Sequence, residues 1–220
     1  MIIVIDGPAG SGKSSTAKAL SDRLNIHFLD SGALYRAVTY FWIQQGKPDK
    51  TEFFTLLPDI NLNADFDNSF TVYLNGDNIS EEIRSPEVSD NVSHVASLPE
   101  VRKHVNAFMR DLVKKGIFIA DGRDLGTAVF PDADLKFYMD ASITERAKRR
   151  FAEIKAKHTE VTLDDVIENL KKRDYLDQNR TADPLIKADD ALVVDTTGKT
   201  FEGQVDYMSA IIKEKLNINY

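Results

Sequence analysis

No cysteine occurs anywhere in this chain of 220 residues. That excludes a disulfide framework, a thiolate metal site and a cysteine nucleophile, and it is compatible with the cytoplasm. No apolar run approaches the roughly 18 residues that a membrane helix needs. The N-terminus has neither a charged n-region nor a cleavage site, so a secretory signal is not expected. A basic surplus is missing as well: 28 Lys and Arg stand against 35 Asp and Glu, a formal net charge of −7. A global positive field for nucleic acid is thereby absent, although a local cationic cleft is not excluded. The four histidines, His27, His94, His104 and His158, show no metal-ligand spacing, and no Ser–His–Asp arrangement can be read. The expectation is a cytoplasmic monomer with neither membrane nor nucleic-acid partners, long enough for one core with insertions.

What is present begins at the N-terminus. Ile2-Ile3-Val4-Ile5 is a short β-branched run, the pattern of a buried strand. Gly7-Pro8-Ala9-Gly10-Ser11-Gly12-Lys13-Ser14 follows at once with the spacing G-x-x-x-x-G-K-S, and Ser15 to Leu24 reads as the helix that leaves it. Glycines let the backbone wrap closely, so that successive N–H groups point at phosphate oxygens, and the helix N-terminus adds partial positive charge. The spacing predicts that Gly7 to Ser15 cradle a nucleoside triphosphate, with Lys13 on the β- and γ-phosphates and the Ser14 hydroxyl on Mg²⁺. The competing reading, a chance glycine-rich turn, has to explain four fixed positions in a strand–loop–helix context.

Further along, apolar patches alternate with helical stretches. Ile26 to Asp30 forms a second strand pattern, Ser31 to Gln45 a helix, Ile117 to Ala120, Leu135 to Asp140 and Ala191 to Asp195 three more strands. Pro99 to Lys115, Ser142 to Lys157, Leu163 to Asp177 and Phe201 to Leu216 read as helices, with a polar link around His158 to Thr162. Strand–helix–strand alternation implies a parallel sheet with right-handed crossovers. Asn61 to Phe66 and Thr71 to Leu74 flank Asp67-Asn68-Ser69 and predict an antiparallel hairpin, closed by a second turn at Asn75-Gly76-Asp77. Such a patch inside an α/β alternation marks an inserted subdomain. The expected fold is a doubly wound α/β core carrying insertions.

In such sheets ligands bind beyond the carboxyl ends of the strands. Asp30-Ser31-Gly32 with Tyr35-Arg36 follows the second strand; Asp30 or Ser31 can cap the helix, and Arg36 can meet either a phosphate or a surface carboxylate. Asp121-Gly122-Arg123-Asp124 follows an apolar strand, where Asp121 could orient Mg²⁺ through water and Arg123 could meet an anion; a plain polar turn is the alternative. Arg173, Asp177 and Arg180 are spaced i, i+4, i+7, placing cation, anion and cation on one helix face. That face is either a solvated ion pair or an anion reader, and arginine's planar fork suits the second role. Spacing alone says little about Arg84, Ser93 and Arg102, and surface charge is their default reading. The basic run Arg146, Lys148, Arg149 and Arg150 is either a solvated face or a mobile lid that brings cations to a transferring phosphoryl group. Trp42, with Tyr40 and Phe41, reads as core or rim packing.

Taken together, the segments IDGPAGSGKS, FLDSGALYR, NGDNISEEIRSPEVSDNVSHVASLPEVR, IADGRDLGTAVFPDA and RDYLDQNRTADPL resemble the bacterial cytidylate (CMP/dCMP) kinases over essentially the whole chain. The resemblance implies a P-loop NTPase-type α/β fold with a parallel five-stranded sheet flanked by helices. It implies one core over residues 1–220, a monophosphate-binding insert at about 37–98 and a lid at about 150–165. It also implies transfer of the ATP γ-phosphoryl group to CMP or dCMP with Mg²⁺, with Lys13, Asp121, Arg123 and Arg180 in the catalytic set. By the same resemblance Ser31, Arg36, Arg123 and Arg180 surround the acceptor phosphate, with Tyr35 in the same substrate site; Arg173 and Asp177 reach the ribose; and Ser93, Arg102 and Asp124 read cytosine. Cytosine presents an N4 amino donor where uracil presents an acceptor, so a carboxylate such as Asp124 favours the first. Two other readings stay open on the residues: a kinase for another acceptor such as UMP, dTMP or shikimate, and a nucleotide-switch module without catalysis.

Overall fold

The computed structural model describes residues 1–66, 70–114, 116–155 and 161–217, with the side chain of Lys155 left aside. The hairpin tip Asp67-Asn68-Ser69, His158 and the middle of the expected lid, residues 156–160, lie outside the described residues. The elements are β1 (Ile2–Asp6), α1 (Lys13–Leu24), β2 (His27–Asp30), α2 (Ser31–Gln44), α3 (Lys50–Leu56), β3 (Leu62–Asp65), β4 (Thr71–Leu74), β5 (Asp77–Asn78), α4 (Pro86–Val95), α5 (Pro99–Leu112), β6 (Phe118–Asp121), β7 (Leu135–Asp140), α6 (Ile143–Lys155), α7 (Leu163–Asn179), β8 (Leu192–Asp195) and α8 (Phe201–Leu216). Short helices over 50–56 and 86–95 were not legible in the apolar pattern; Asp49 and Ser85 cap them through their side chains.

Five strands form one parallel sheet in the order β2-β6-β1-β7-β8. Burial on both faces explains the continuous apolar runs. Alternate residues of β1 serve opposite layers. Val4 joins Leu29, Phe118 and Ala120 under α2 and α5. Ile3 and Ile5 join Ile119, Phe137 and Met139 under α1 and α8. The last strand is an edge strand rather than a core one, with Val193 exposed and Val194 buried.

The insert carries its own antiparallel sheet, β3-β4-β5, and its side chains Phe53, Leu62, Val72 and Ile83 continue the α2 core layer. Asn75 and Gly76 both have positive φ, at 53° and 97°, and join β4 to β5 as a two-residue hairpin. Trp42 and Phe41 lie in the same layer, and the indole N–H donates to the Pro48 carbonyl. Register then sets the site: Asp30 stands opposite Asp121, and Asp121 opposite Ile5, so the carboxyl ends of β2, β6 and β1 finish side by side.

Candidate active site

The loop between β1 and α1 sits where those three strand ends converge. Gly7 has φ 146°, and a Cβ there would lie 2.0 Å from the Met139 carbonyl oxygen on the neighbouring β7. Backbone fixes that contact, so no side chain fits. Gly12, with φ 93°, is the N-cap of α1 and leaves the helix start without a side-chain partner. Unsatisfied N–H groups at a helix start favour an anion.

Lys13 is buried and folds back over this loop, donating to the Pro8 carbonyl at 2.7 Å and to Ser11 Oγ at 3.3 Å. Burial, and next the Arg123 guanidinium, hold its ammonium well below the ordinary lysine range. Ser14 and Ser15 are exposed on the first turn of α1. The Ser14 hydroxyl donates to Asp121 Oδ2 at 2.5 Å, and Ser31 donates to the Asp121 carbonyl at 2.6 Å. Asp121 Oδ1 is buried without a partner among the described residues. Burial, with Asp30 next, pushes the Asp121 carboxyl up to about 7. An unpartnered hard oxygen beside a hydroxyl fits Mg²⁺ shared with phosphates, because that ion takes one or two protein oxygens and leaves other positions to substrate and water. No group of three His, Cys, Asp or Glu among the described residues could cage a metal alone.

Across from the loop stands a group of arginines. Arg36 on α2 donates to Ser89 Oγ at 2.9 Å and to the Ile83 carbonyl at 3.4 Å, both neutral partners. Burial lowers its guanidinium pKa, as do Arg150, Arg84 and Arg123 nearby. Arg123 donates to Asp177 Oδ2 at 3.0 Å. Arg173 has a buried Nε without a partner among the described residues. Burial first, then Arg123 and Arg36, push it down to about 10. The cations outnumber the carboxylates that touch them, which is the condition for an anion site.

A second polar knot lies deeper. Asp124 receives Arg102 on one carboxylate oxygen and Arg180 on the other, the latter at 2.5 Å. Burial raises the Asp124 pKa, while Arg102 and Arg180 pull it down. Against the default reading of surface charge, Arg102 is 1 % exposed and among the largest fully buried side chains. Desolvation of its guanidinium is offset by Asp124, by Asp183 at 2.7 Å and by the face of Tyr35 at 5.2 Å. Tyr35 in turn donates to Asn106 Oδ1 at 2.9 Å. Ser93 is half-buried on α4.

The structure regroups some of these residues. Arg180 pairs with Asp124 at 2.5 Å beside Arg102, and Asp177 faces Arg123 at 3.0 Å while Arg180 stands 4.0 Å from it. The basic run on α6 is not a solvated face throughout. Arg146 donates to the Ala9 and Ala141 carbonyls and pairs with Asp174 at 2.7 Å. Arg149 reaches the Ser11 carbonyl and Thr196. Both therefore brace the phosphate loop, Arg149 also pairs with Glu145 at 3.4 Å, and Arg150 pairs with Glu153 at 2.8 Å. Asp30 is the α2 cap, accepting from the Ala33 N–H at 2.9 Å.

Four contributors went unread in the sequence: Asp6, Asp174, Asn106 and Asp183. Asp6 adjoins Gly7 at a strand's carboxyl end, a position that could have flagged it. Its carboxylate accepts from the N–H groups of Leu125 and Gly126 at 2.9 and 2.7 Å, fixing the turn that follows Asp124. Asp174, beside Arg173, is tied to Arg146. Nothing local marks Asn106 or Asp183.

Comparison with known proteins gives the family and the fold. The family model described as cytidylate kinase matches residues 3–214. A cytidylate kinase of Clostridioides difficile is 46 % identical over 206 residues, covering 94 % of this chain and 95 % of its own. One of Carboxydothermus hydrogenoformans is 42 % identical over 221 residues, covering 99 % and 100 %. Among solved structures, an uncharacterized protein from Eubacterium ventriosum shares the fold with a TM-score of 0.53 at 13 % identity, over 97 % of this chain and 98 % of its own.

Proposed function

Because the chain belongs to the cytidylate kinase family, we propose that it transfers the γ-phosphoryl group of ATP to CMP or dCMP, giving ADP and CDP or dCDP. The observation that carries a two-substrate reading is Arg173: a cation whose buried Nε has no partner among the described residues, beside Arg36 and Arg123 and across from a phosphate loop. A site that only held or hydrolysed one triphosphate has no use for that second anion pocket.

The acceptor phosphate oxygen attacks the γ-phosphorus in line, and the bond to the β-bridging oxygen breaks. Little covalent work falls to the protein, so catalysis is positioning plus charge neutralisation. Lys13 exchanges its contacts with Pro8 and Ser11 for the β- and γ-phosphates. Arg36, Arg123 and Arg173 hold the acceptor phosphate, with Ser31 beside it and Asp177 toward the sugar. Asp124 and Arg102, with Ser93 and Arg180 near them, read the base. Ser14 and Asp121 would hold Mg²⁺, which supplies charge neutralisation on the phosphates when bound. The insert at about 37–98 carries the monophosphate side, and the stretch at about 150–165 closes over the donor and excludes water.

An acceptor panel tests this: ADP release with ATP, Mg²⁺ and CMP, dCMP, UMP, dTMP or shikimate. We expect CMP and dCMP to lead by kcat/KM, and Lys13→Ala to lose at least about a hundredfold in turnover, the scale of one removed charge-stabilising donor. ADP release that is indifferent to every monophosphate would leave only a nucleotide-binding or switch module.

A further inference from the structure

We infer that Asp183 is a positioning residue that keeps Asp124 open to the pyrimidine amino group by holding the guanidinium of Arg102 in one orientation. The inference rests on the base-reading role proposed for Asp124 and Arg102. Asp183 lies in the link after α7 and touches both arginines that pinch Asp124. Its Oδ2 accepts from Arg102 Nε at 2.7 Å, and its own carbonyl accepts from Arg180 Nε at 2.7 Å. Asn106 Nδ2 adds a second contact to Oδ2 at 3.3 Å, and Asn106 is itself fixed by Tyr35. Asp183 has φ 49°, a left-handed backbone that Asp tolerates better than most residues.

Charge and geometry both give this residue a task. Two arginines on Asp124 alone would leave one positive charge in excess in a nearly dry site; Asp183 makes the four groups neutral. More specifically, Arg102 donates through Nε to Asp183, through NH1 to the Ala96 carbonyl at 3.2 Å, and through NH2 to Asp124. Asp124 therefore meets Arg102 through one nitrogen only. A guanidinium prefers to grip a carboxylate with two parallel N–H groups. With Nε released, the Nε–NH2 edge of Arg102 is free to turn onto Asp124 and take both bonds there. The carboxylate lone pairs meant for an incoming amino group would then be occupied. Asp183 prevents this by keeping Nε engaged elsewhere, and so acts on the choice of base through Arg102 rather than by touching the base.

The test uses Asp183→Gly, because glycine keeps the left-handed backbone while removing the carboxylate, and Asp183→Asn, which restores an acceptor for Arg102 Nε. KM and kcat are measured for CMP and UMP, with thermal unfolding alongside and Asp124→Ala as control. The expected result for Asp183→Gly is a KM for CMP raised about tenfold, a much smaller change in kcat, and a CMP:UMP ratio of kcat/KM lowered about tenfold; one lost oriented interaction of about 1.4 kcal/mol corresponds to that factor. Asp183→Asn should recover the ratio to within about threefold of wild type. An unchanged ratio in Asp183→Gly, no recovery in Asp183→Asn, or a variant that fails to fold or loses both acceptors alike would overturn the inference. The control separates the two levels. If Asp124→Ala keeps its preference for CMP, the base-reading assignment fails; if Asp124→Ala loses it while Asp183→Gly keeps it, only the role of Asp183 fails.

Discussion

Arg173 shows at the scale of one side chain how binding and stability oppose each other. Its Nε is buried without a partner among the described residues, and burial with Arg123 and Arg36 pushes the group down to about 10. A buried unpaired donor costs about 1–3 kcal/mol, and an incoming phosphate is what would repay that strain. Arg173→Met keeps the aliphatic stem and removes both charge and donor. We expect the ligand-free variant to unfold about 2–12 °C higher, since each kcal/mol moves the midpoint of a chain this size by about 2–4 °C. Its KM for CMP should rise at least tenfold while KM for ATP stays within about twofold. A lower melting temperature would show that Arg173 is satisfied by contacts in the free protein. Arg180 is the C-cap of α7, with an extended backbone, and turns to Asp124, but the Arg173–Asp177 face was legible from i, i+4 spacing because both residues lie within the helix. Burial of Arg102 was not, since the carboxylates that make it tolerable, Asp124 and Asp183, come from segments 22 and 81 residues away.

Among the elements, the phosphate loop owes its shape to helices that come much later in the chain. Arg146 of α6 joins the Ala9 carbonyl at 2.9 Å to Asp174 of α7 at 2.7 Å, and Asp174 also accepts from the Ala9 N–H at 3.4 Å. Ala9 packs with Ala147, Val166 and Leu170, so the same junction has an apolar floor. Removing one partner of a buried pair costs about 3–5 kcal/mol, because the other charge is left uncompensated. Arg146→Met should therefore lower the unfolding free energy measured in urea by about that amount and raise KM for ATP several-fold. Adding Asp174→Leu should restore much of the stability but not the ATP affinity, since the Ala9 carbonyl is not held again. Equal recovery of both would mean that the pair acts on stability alone. The loop itself, β1, α1 and the other sheet strands were legible because each is written in contiguous residues: an apolar run, a glycine spacing, a helical period. The insert was legible only in part. Its hairpin announces itself through Asn75-Gly76, whereas α3 and α4 are short and depend on capping by Asp49 and Ser85 and on packing under α2. The bracing role of Arg146 and Arg149 was hidden for a related reason, as a basic run on a helix looks the same whether its partners are solvent or distant carbonyls.

Over the whole molecule, a net charge of −7 coexists with a cationic cleft and a set of carboxylates buried under it. Burial pushes Asp6 up to about 6 and Asp121 up to about 7, and it raises Asp124 as well. These folded-state values exceed the ordinary value of 3.8, so Asp6 and Asp121 bind more protons in the folded protein than in the unfolded chain between about pH 4 and pH 7, while burial of His104 lowers its pKa and opposes them. Whatever the two carboxylates contribute to stability is fully present below about pH 4 and is lost as pH rises through their folded values. At 1.36 kcal/mol per unit, Asp6 alone accounts for about 3 kcal/mol across that window. The exposed carboxylates Asp165, Asp190 and Asp195 shift the opposite way, and solvent screens their effect. Denaturant unfolding of the ligand-free protein should thus give a free energy that falls from pH 4.5 to pH 7. Asp121→Asn, which removes the titrating proton and keeps an acceptor for Ser14, should flatten the upper half of that fall. A free energy that climbs with pH over the same range would mean that these carboxylates are already ionised and fully compensated in the free protein, and that the cleft is not held short of negative charge before its substrates arrive.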